Sequence, residues 1–230
     1  MRDVIAKGSF MDISRAGQVA DLVGRIALVT FFAAMATLQI RGVIALFGDS
    51  SAPSFLDVAS RTASIAYVVL VVGLTVLRLK PIHHAEGFEP RFSALAGTFL
   101  SIALAALPPA EIGTGLRVMS LVMIGAGWLL SACVLLWLGR AFSIMAQARR
   151  LVTTGPYAIV RHPLYLCEEI TVLGVALARF SYWAVLIVAV QWMFQLRRMD
   201  NEEKVLGAAF PECAAYAART PKIIPRLFRA

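Results

Sequence analysis

Residues 118–139 read VMSLVMIGAGWLLSACVLLWLG and carry no formally charged side chain. A helix of this length and composition can cross the hydrocarbon core of a bilayer, which is about 30 Å thick. Four other stretches lack a formal charge, at residues 26–40, 62–77, 92–110 and 180–196, and we extend the first to Phe47. A sixth candidate, residues 164–178, is interrupted by Glu168 and Glu169. None of these stretches alternates as a barrel strand would, so the sequence predicts spanning helices.

The composition supports a membrane protein. The 230 residues are 59% hydrophobic and 16% charged, with a mean hydropathy of +0.75, whereas a soluble domain is about 25% charged. This excludes an ordinary soluble globule, a disordered chain and a secreted disulfide scaffold. Cys133, Cys167 and Cys213 form no CxxC motif, and we expect them to be free thiols.

The distribution of positive charge predicts the topology. With six spans and a cytoplasmic N-terminus, 18 of the 22 Lys and Arg residues face the cytoplasm and 3 face the other side. We therefore predict an all-α, multi-pass protein of the inner (cytoplasmic) membrane with both termini in the cytoplasm. The net charge of +8 then reflects basic loops that face anionic lipid. We expect no nucleic-acid partner and no cleaved signal peptide.

The chain changes character after Gly139. Residues 1–139 are predicted to form an N-terminal transmembrane part of four helices. Residues 140–230 are predicted to combine a basic interfacial segment, a helical hairpin that turns at 179–182, and a cytoplasmic tail. In the tail, residues 200–219 predict a cytoplasmic helix broken near Pro211. In the interfacial segment, Arg149 and Arg150 are interpreted as anchors at the membrane surface.

Polar residues cluster at the mouth of the fifth predicted span. A helix that begins at Pro163 places Tyr165, Glu168 and Glu169 on one face, because they are spaced i, i+3 and i+4. Arg161 and His162 precede this helix, where unpaired backbone N–H groups favour an anion. The acidic pair Glu202–Glu203 follows the last span on the same side of the membrane. A ligand that carries both a carboxylate and a cation would fit between the two clusters.

The same stretch carries a family resemblance. Residues 154–166 read TGPYAIVRHPLYL, followed by Glu202-Glu203 and then by Phe210, Tyr216 and Pro225. This pattern resembles the isoprenylcysteine carboxyl methyltransferase family, which is related in motif to the membrane phospholipid methyltransferases. The match covers residues 150–226, about a third of the chain, and leaves the first four helices uninformative about substrate. The chain departs from the family at Pro211, where the pattern has Gly, and at the acidic pair Glu168–Glu169.

The resemblance implies S-adenosylmethionine as cofactor, bound on the cytoplasmic side between the hairpin and the tail. It implies a cofactor pocket formed by Gly155, Pro156, Tyr157, Val160, His162, Pro163, Tyr165, Leu166, Glu202 and Glu203. The predicted catalytic residues are Arg161, Glu169 and Glu203; Arg161 would fix the cofactor or steer the acceptor, and Glu169 would touch the substrate. The implied reaction is carboxyl O-methylation of a prenylated or similar lipid that reaches the site from the bilayer.

Several alternatives stay open at this point. The acceptor could be a lipid amine or a thiol, for which His162, Glu168 or Glu169 would accept the proton. A nicotinamide-dependent membrane lipid reductase is a further class of enzyme, because some such enzymes share a similar C-terminal hairpin. Structurally, the pair Glu168–Glu169 could instead bind Arg197 or Arg198. We assign no metal to His83–His84, and small residues such as those at 125–127 indicate close helix packing or a homodimer face.

Overall fold

The computed structural model describes residues 2–48 and 54–225, and it is helical apart from two short strands. The helices are α1 (Arg2–Leu46), α2 (Phe55–Leu77), α3 (Glu89–Ala106), α4 (Thr114–Leu138), α5 (Pro156–Ile159), α6 (Pro163–Ala178), α7 (Tyr182–Ala209) and α8 (Cys213–Arg219). A 3₁₀ turn, Gly139–Ala141, follows α4. Strands β1 (His83–His84) and β2 (Gln147–Ala148) pair antiparallel, and both histidines are exposed. The predicted all-α class is confirmed.

Within residues 2–48 and 54–225, three segments are long and apolar enough to cross a membrane: Asp21–Leu46, Phe55–Leu77 and Thr114–Ala141. The other predicted spans also form helices, namely α3, α6 and α7. However, α6 has 16 residues, which corresponds to about 24 Å at 1.5 Å per residue, and it contains two carboxylates. The prediction that the chain forms long apolar helices is therefore confirmed. The count of six spans and the orientation of the termini remain predictions.

The helices pack in pairs that join the two halves of the sequence: α4 lies along α6, α3 along α7, and α2 along both α1 and α4. Glycines allow the closest pair. A Cβ on Gly127 would lie 2.2 Å from Thr171 Oγ1, and one on Gly174 would lie 2.9 Å from Ile124 Cγ1. Ser120 Oγ also donates to Gly174 O at 2.8 Å. The close packing predicted for residues 125–127 is thus found between helices of one chain.

Two expectations from the sequence need correction. Residues 200–209 are not a separate tail helix, because α7 continues from Tyr182 to Ala209 and only α8 stands beyond Pro211. Arg149 is not a surface anchor, because its side chain is 0% exposed and its Nη2 lies 3.2 Å from Asp21 Oδ1. Arg78 Nη2 contacts the same carboxylate oxygen at 2.9 Å. Burial and the charge of Arg78 lower the pKa of Arg149 to about 10, so this guanidinium stays charged at neutral pH.

Candidate active site

The entry to α6 is shaped by a glycine turn. Gly155 has φ +61° and precedes α5, which begins at Pro156. A Cβ on Gly155 would lie 2.2 Å from Trp137 Cε2, so both the backbone angle and the close approach require glycine. Val160 is extended, and α6 then begins at Pro163 as predicted. The turn folds the short helix against the end of α4 and points the residues that follow it towards the tail.

Glu203 joins the mouth of α6 to α7. Its Oε1 lies 2.8 Å from His162 Nε2, and its Oε2 lies 3.2 Å from Arg161 Nη1. The backbone N–H groups of Arg161 and His162 donate to the carbonyl oxygens of Pro221 (2.9 Å) and Lys222 (3.2 Å). The structure therefore brings together the two clusters that lie about 40 residues apart in sequence, as the spacing predicted.

Glu202 makes a second link beside the first. Its carboxylate accepts a hydrogen bond from the Tyr165 hydroxyl, and its Oε1 lies 3.7 Å from Arg198 Nε. The Arg198 guanidinium stacks over the Tyr165 ring, 4.8 Å from its centroid, which is a favourable cation–π distance. His162 does occupy the N-cap position of α6, but its side chain makes no capping hydrogen bond and is committed to Glu203.

These side chains line a cleft of about 100 Å³. Six of the predicted site residues form its wall: Tyr157, Arg161, His162, Tyr165, Glu202 and Glu203. The remaining predicted cofactor residues shape the turn and the helix start without lining the cleft: Gly155, Pro156, Val160, Pro163 and Leu166. The segment before α5 supplies the opposite side through residues that the motif did not indicate, such as Gln147 and Arg150.

The charges of the cleft are held by local contacts. Burial by itself raises the pKa of Glu203, but the hydrogen bond and charge of His162 and the charge of Arg161 outweigh it, and the net pKa lies below its ordinary value of 4.5. Burial raises the pKa of Tyr216 to about 12. Its hydroxyl therefore stays protonated and donates to Tyr157 O at 2.6 Å, which fixes α8 against α5.

A much larger cavity, of about 1140 Å³, lies within the helix bundle. Much of its wall is apolar and comes from α1 to α4, with Phe31, Phe32, Val68, Phe99, Leu121 and Trp128 as examples. Phe142 and Arg198 line both this cavity and the charged cleft. The two spaces therefore share a wall, and a ligand in one would approach a ligand in the other at these two residues.

The acidic pair on α6 divides between two environments. Glu168 lines the large cavity, where its Oε1 accepts a hydrogen bond from Tyr67 Oη at 2.6 Å. Glu169 is 7% exposed and is absent from both walls; its Oε1 accepts from Gln191 Nε2 at 2.8 Å. Neither carboxylate forms the ion pair with Arg197 or Arg198 that the sequence offered as a structural alternative. The catalytic role predicted for Glu169 stays a prediction, and Glu168 is the member of the pair that faces the cavity.

Sequence reasoning did not single out several residues of the site. Gln191 and Gln195 sit one turn apart on α7, and Tyr67 lies on α2. Arg198, which the sequence suggested only as a partner of Glu168–Glu169, contacts Tyr165 and Glu202. These residues could have been found in the same way as Glu168 and Glu169, because a polar side chain inside an apolar helix indicates a functional role. No group of three or more His, Cys, Asp or Glu side chains that could hold a metal occurs in residues 2–48 and 54–225.

Fold and site together define a helical membrane protein with a charged cleft beside a large cavity between its helices. Residues 112–212 match the family model described as phospholipid methyltransferase. This segment contains α4, the mouth of α6 and both glutamates of the acidic pair at 202–203. The resemblance read from the motif is thereby confirmed for this segment, and a protein-S-isoprenylcysteine O-methyltransferase is among the relatives of the chain.

Three curated relatives extend this finding. The cobalt-zinc-cadmium resistance protein CzcN of Cupriavidus metallidurans is 34% identical over 120 residues, 52% of this chain and 51% of the relative. The nickel-cobalt-cadmium resistance protein NccN of Alcaligenes xylosoxydans xylosoxydans is 31% identical over 131 residues, 56% and 54% of the two chains. Protein-S-isoprenylcysteine O-methyltransferase B of Arabidopsis thaliana is 32% identical over 112 residues, 46% and 57%. The chain spans about half the length of the curated relatives it matches.

Proposed function

We propose that this protein is an S-adenosylmethionine-dependent membrane methyltransferase that acts on a lipophilic acceptor. The observation that carries the proposal is the shared wall at Phe142 and Arg198, between a charged cleft and a cavity of about 1140 Å³. A polar donor and an apolar acceptor need two such spaces in contact. The match of residues 112–212 to a methyltransferase family model supports the same reaction class.

The chemistry of the cleft suits the proposed donor, which carries a carboxylate, an ammonium group and ribose hydroxyls. Arg161 lines the cleft and binds Glu203 through Nη1 at 3.2 Å, and its guanidinium can bind a carboxylate of the donor. Glu202 and Glu203 can accept from an amine or from hydroxyls. A volume of about 100 Å³ is below the roughly 300–1,000 Å³ of small-molecule sites, so binding has to move apart the side chains that line the cleft.

Transfer of a methyl group needs orientation and exclusion of water more than covalent help. When bound, S-adenosylmethionine would supply the methyl group from its sulfonium. Arg161, His162 and Glu203 would hold the polar part of the donor, and Tyr165 with Glu202 would fix its position beside Arg198. The apolar helices around the cavity would keep water away from the acceptor.

The proposal places the cleft at the cytoplasmic face, with six spans and both termini in the cytoplasm. The asymmetry of Lys and Arg supports this orientation. The donor would then enter from the cytosol, and the acceptor would reach the cavity laterally from the lipid. A homodimer is compatible with the small residues of the helices, and we propose no role for it in the site.

Two acceptor groups are worth testing. The resemblance to isoprenylcysteine carboxyl methyltransferases favours a carboxylate on a prenylated or similar lipid, which is already nucleophilic and needs only a cation such as Arg161. An amine or a thiol would need a proton acceptor. Glu168 has a carboxylate on the cavity wall that could accept this proton, and it therefore favours an amine or a thiol acceptor.

Calorimetry on the full chain in detergent tests the reaction class. We expect S-adenosylhomocysteine to bind and NADPH not to bind. The reverse pattern would support a membrane reductase and overturn the proposal. Incubation of membranes with the methyl-tritiated donor, followed by lipid extraction, would then identify the acceptor through its label, and membranes that contain the His162→Ala protein provide the background.

A further inference from the structure

The wall of the charged cleft opposite the mouth of α6 comes from the segment between α4 and α5. Ser143, Gln147 and Arg150 of this segment line the cleft. Gln147 belongs to β2, where it pairs with His84 of β1, so the backbone holds it in a fixed register. The sequence pattern that predicted the cleft begins only at residue 154. This wall therefore contributes polar side chains to which the pattern gives no role.

The side-chain amide of Gln147 is oriented by two hydrogen bonds to its oxygen. Gln147 Oε1 accepts from Arg149 Nη2 at 2.5 Å and from Ser143 Oγ at 2.9 Å. Because an amide has one acceptor oxygen and one NH2 group, these two donors determine which end is the oxygen. Gln147 Nε2 has no hydrogen-bond partner within residues 2–48 and 54–225, and it is accessible, unlike the buried Arg149 Nη1. Its two N–H groups can therefore donate to a ligand in the cleft.

Arg149 holds this amide from behind the wall. Its side chain is 0% exposed, and its Nη2 also lies 3.2 Å from Asp21 Oδ1, so one guanidinium joins α1 to β2. A hydrogen bond from a charged donor is about twice as strong as one between neutral groups. The orientation of the Gln147 amide is consequently set before a ligand arrives, which lowers the cost of binding.

A purely structural role would favour a carboxylate in place of this amide. Arg78 Nη2 contacts Asp21 Oδ1 at 2.9 Å, so two buried guanidiniums, those of Arg78 and Arg149, share the carboxylate of Asp21. A glutamate at position 147 would accept the same two hydrogen bonds as Gln147 and would also offset this excess of positive charge. Only the amide has N–H groups, and these are the groups that remain for a ligand.

Arg150 is a second donor group of the same wall. The other two guanidiniums of the cleft already lie near carboxylates. Arg161 Nη1 is 3.2 Å from Glu203 Oε2, and Arg198 Nε is 3.7 Å from Glu202 Oε1. In the part of the chain that the structure describes, no carboxylate forms an ion pair with Arg150, whose side chain is exposed. Its charge is therefore available to an anionic group of a ligand.

We propose that Gln147 and Arg150 form the subsite for the carboxylate of the methyl donor, with Gln147 Nε2 and the Arg150 guanidinium as hydrogen-bond donors. This inference rests on the methyltransferase function proposed above and assigns two binding residues outside the sequence pattern. A carboxylate accepts up to about four hydrogen bonds, so it can be bound by both groups. Glu202 and Glu203 would then bind the ammonium group and the hydroxyls. Arg161, which is already paired with Glu203, would add a second cation.

The variant Gln147→Glu separates ligand binding from structure. Calorimetry on the full chain in detergent compares S-adenosylhomocysteine with S-adenosyl-thiopropylamine, which keeps the nucleoside and the amine and lacks only the carboxylate. We expect the variant to bind S-adenosylhomocysteine at least about 10-fold more weakly, the lower range for loss of a hydrogen bond to a charged group. Binding of S-adenosyl-thiopropylamine should be at least as tight as in the unsubstituted protein. The melting temperature should not fall, because a glutamate still accepts from Arg149 and Ser143.

The variant Arg150→Gln removes the cation of the proposed subsite. We expect it to weaken S-adenosylhomocysteine at least about 10-fold and S-adenosyl-thiopropylamine by less than about 3-fold. Arg197→Gln is the matched control, because it removes the same charge from an exposed residue of α7 that does not line the cleft. Equal weakening of S-adenosylhomocysteine by the two arginine variants would indicate a long-range effect of charge and would overturn the assignment of Arg150.

Unchanged binding of S-adenosylhomocysteine in Gln147→Glu would overturn the inference, and so would equal losses for the two ligands. If Gln147→Glu does not fold, Arg150→Gln decides with the same pair of ligands. If S-adenosyl-thiopropylamine binds too weakly to measure, the affinities of the variants for S-adenosylhomocysteine decide. Failure of the unsubstituted protein to bind S-adenosylhomocysteine contradicts the methyltransferase proposal as well. Normal binding there, with unchanged affinity in Gln147→Glu and Arg150→Gln, contradicts this subsite alone.

Discussion

The charged cleft and the large cavity differ in volume and in the kind of side chain that binds their carboxylates. In the cleft, Glu203 is bound by Arg161 and His162, and Glu202 by Tyr165 and Arg198. In the cavity, Glu168 accepts hydrogen bonds from two neutral donors, Tyr67 Oη at 2.6 Å and Gln195 Nε2 at 3.4 Å. The volume of the cleft is about 100 Å³, whereas that of the cavity is about 1140 Å³.

This difference indicates two modes of binding. A ligand in the cleft has to replace ion pairs and hydrogen bonds that the side chains make with one another. The affinity of the cleft therefore depends on how well the charges of the ligand pair with those side chains. The cavity already has volume, so its selectivity depends on how a ligand matches the apolar and polar side chains of its wall. Substitutions should therefore separate the two spaces: changes at the mouth of α6 should affect the donor, and changes along α6 should affect the acceptor.

The largest effect is expected from His162→Ala and Glu203→Ala. Each leaves a partly buried partner unpaired, which typically costs about 2–5 kcal/mol. We predict that each weakens binding of S-adenosylhomocysteine at least about 100-fold in calorimetry, with expression and detergent behaviour near normal. Glu212→Ala, which removes an exposed carboxylate at the start of α8, is the control. Normal binding by both variants would refute the assignment of the cleft to the donor.

Gly127→Ala should destabilise the wall between α4 and α6. Its Cβ would lie 2.2 Å from Thr171 Oγ1 and 2.7 Å from Thr171 N, so the helices would have to separate. Overpacking of this kind costs about 1–3 kcal/mol. We expect a lower melting temperature in detergent, measured by tryptophan fluorescence.

The matched control for that change is Gly125→Ala on the same helix. Its Cβ would meet Ser60 at 3.6 Å, which is ordinary contact, so the melting temperature should stay near that of the unsubstituted protein. If the two variants have the same melting temperature, the close packing of α4 against α6 does not position the cavity wall.

The cleft should also respond to acid. The pKa of Glu203 is lowered on folding because its contacts with His162 and Arg161 outweigh burial, so the folded state binds a proton less readily than the unfolded state. This contribution to stability is present above the ordinary pKa of 4.5 and is lost as the pH falls through the folded value. Between pH 6 and about pH 3, the melting temperature should fall further in the unsubstituted protein than in Glu203→Gln. Parallel curves would contradict this account.

The smallest effect is expected from Glu169→Gln. Its carboxylate orients Gln191 from behind the cavity wall, and a glutamine carbonyl can still accept the hydrogen bond from Gln191 Nε2. We predict less than about a 5-fold change in kcat, whereas Glu168→Gln should lose about 100-fold. Equal losses in the two variants would instead support the direct substrate contact that the sequence predicted for Glu169.

Local patterns predicted the mouth of α6 well. Gly155-Pro156 and His162-Pro163 are turn and helix-start signals, and they give α5 and the first residue of α6. The long α7 was harder to predict, because Arg197 and Arg198 end the apolar run and suggest the end of a helix. Arg198 lies inside α7, where Glu202 is its i,i+4 neighbour on the same helix, whereas its stacking on Tyr165 of α6 is a contact that the helix pattern does not contain.

The sequence by itself determined that apolar helices form, where the basic segments fall, and that Arg161, His162 and the acidic pair at 202–203 belong to one motif. Hydropathy, charge and turn chemistry are local properties, and they can be read along the chain. Only the tertiary structure decided that Glu168 faces a cavity while Glu169 faces Gln191, and that Arg149 is buried against Asp21. Neighbouring residues on a helix point about 100° apart, and which direction is buried depends on the helices packed around it.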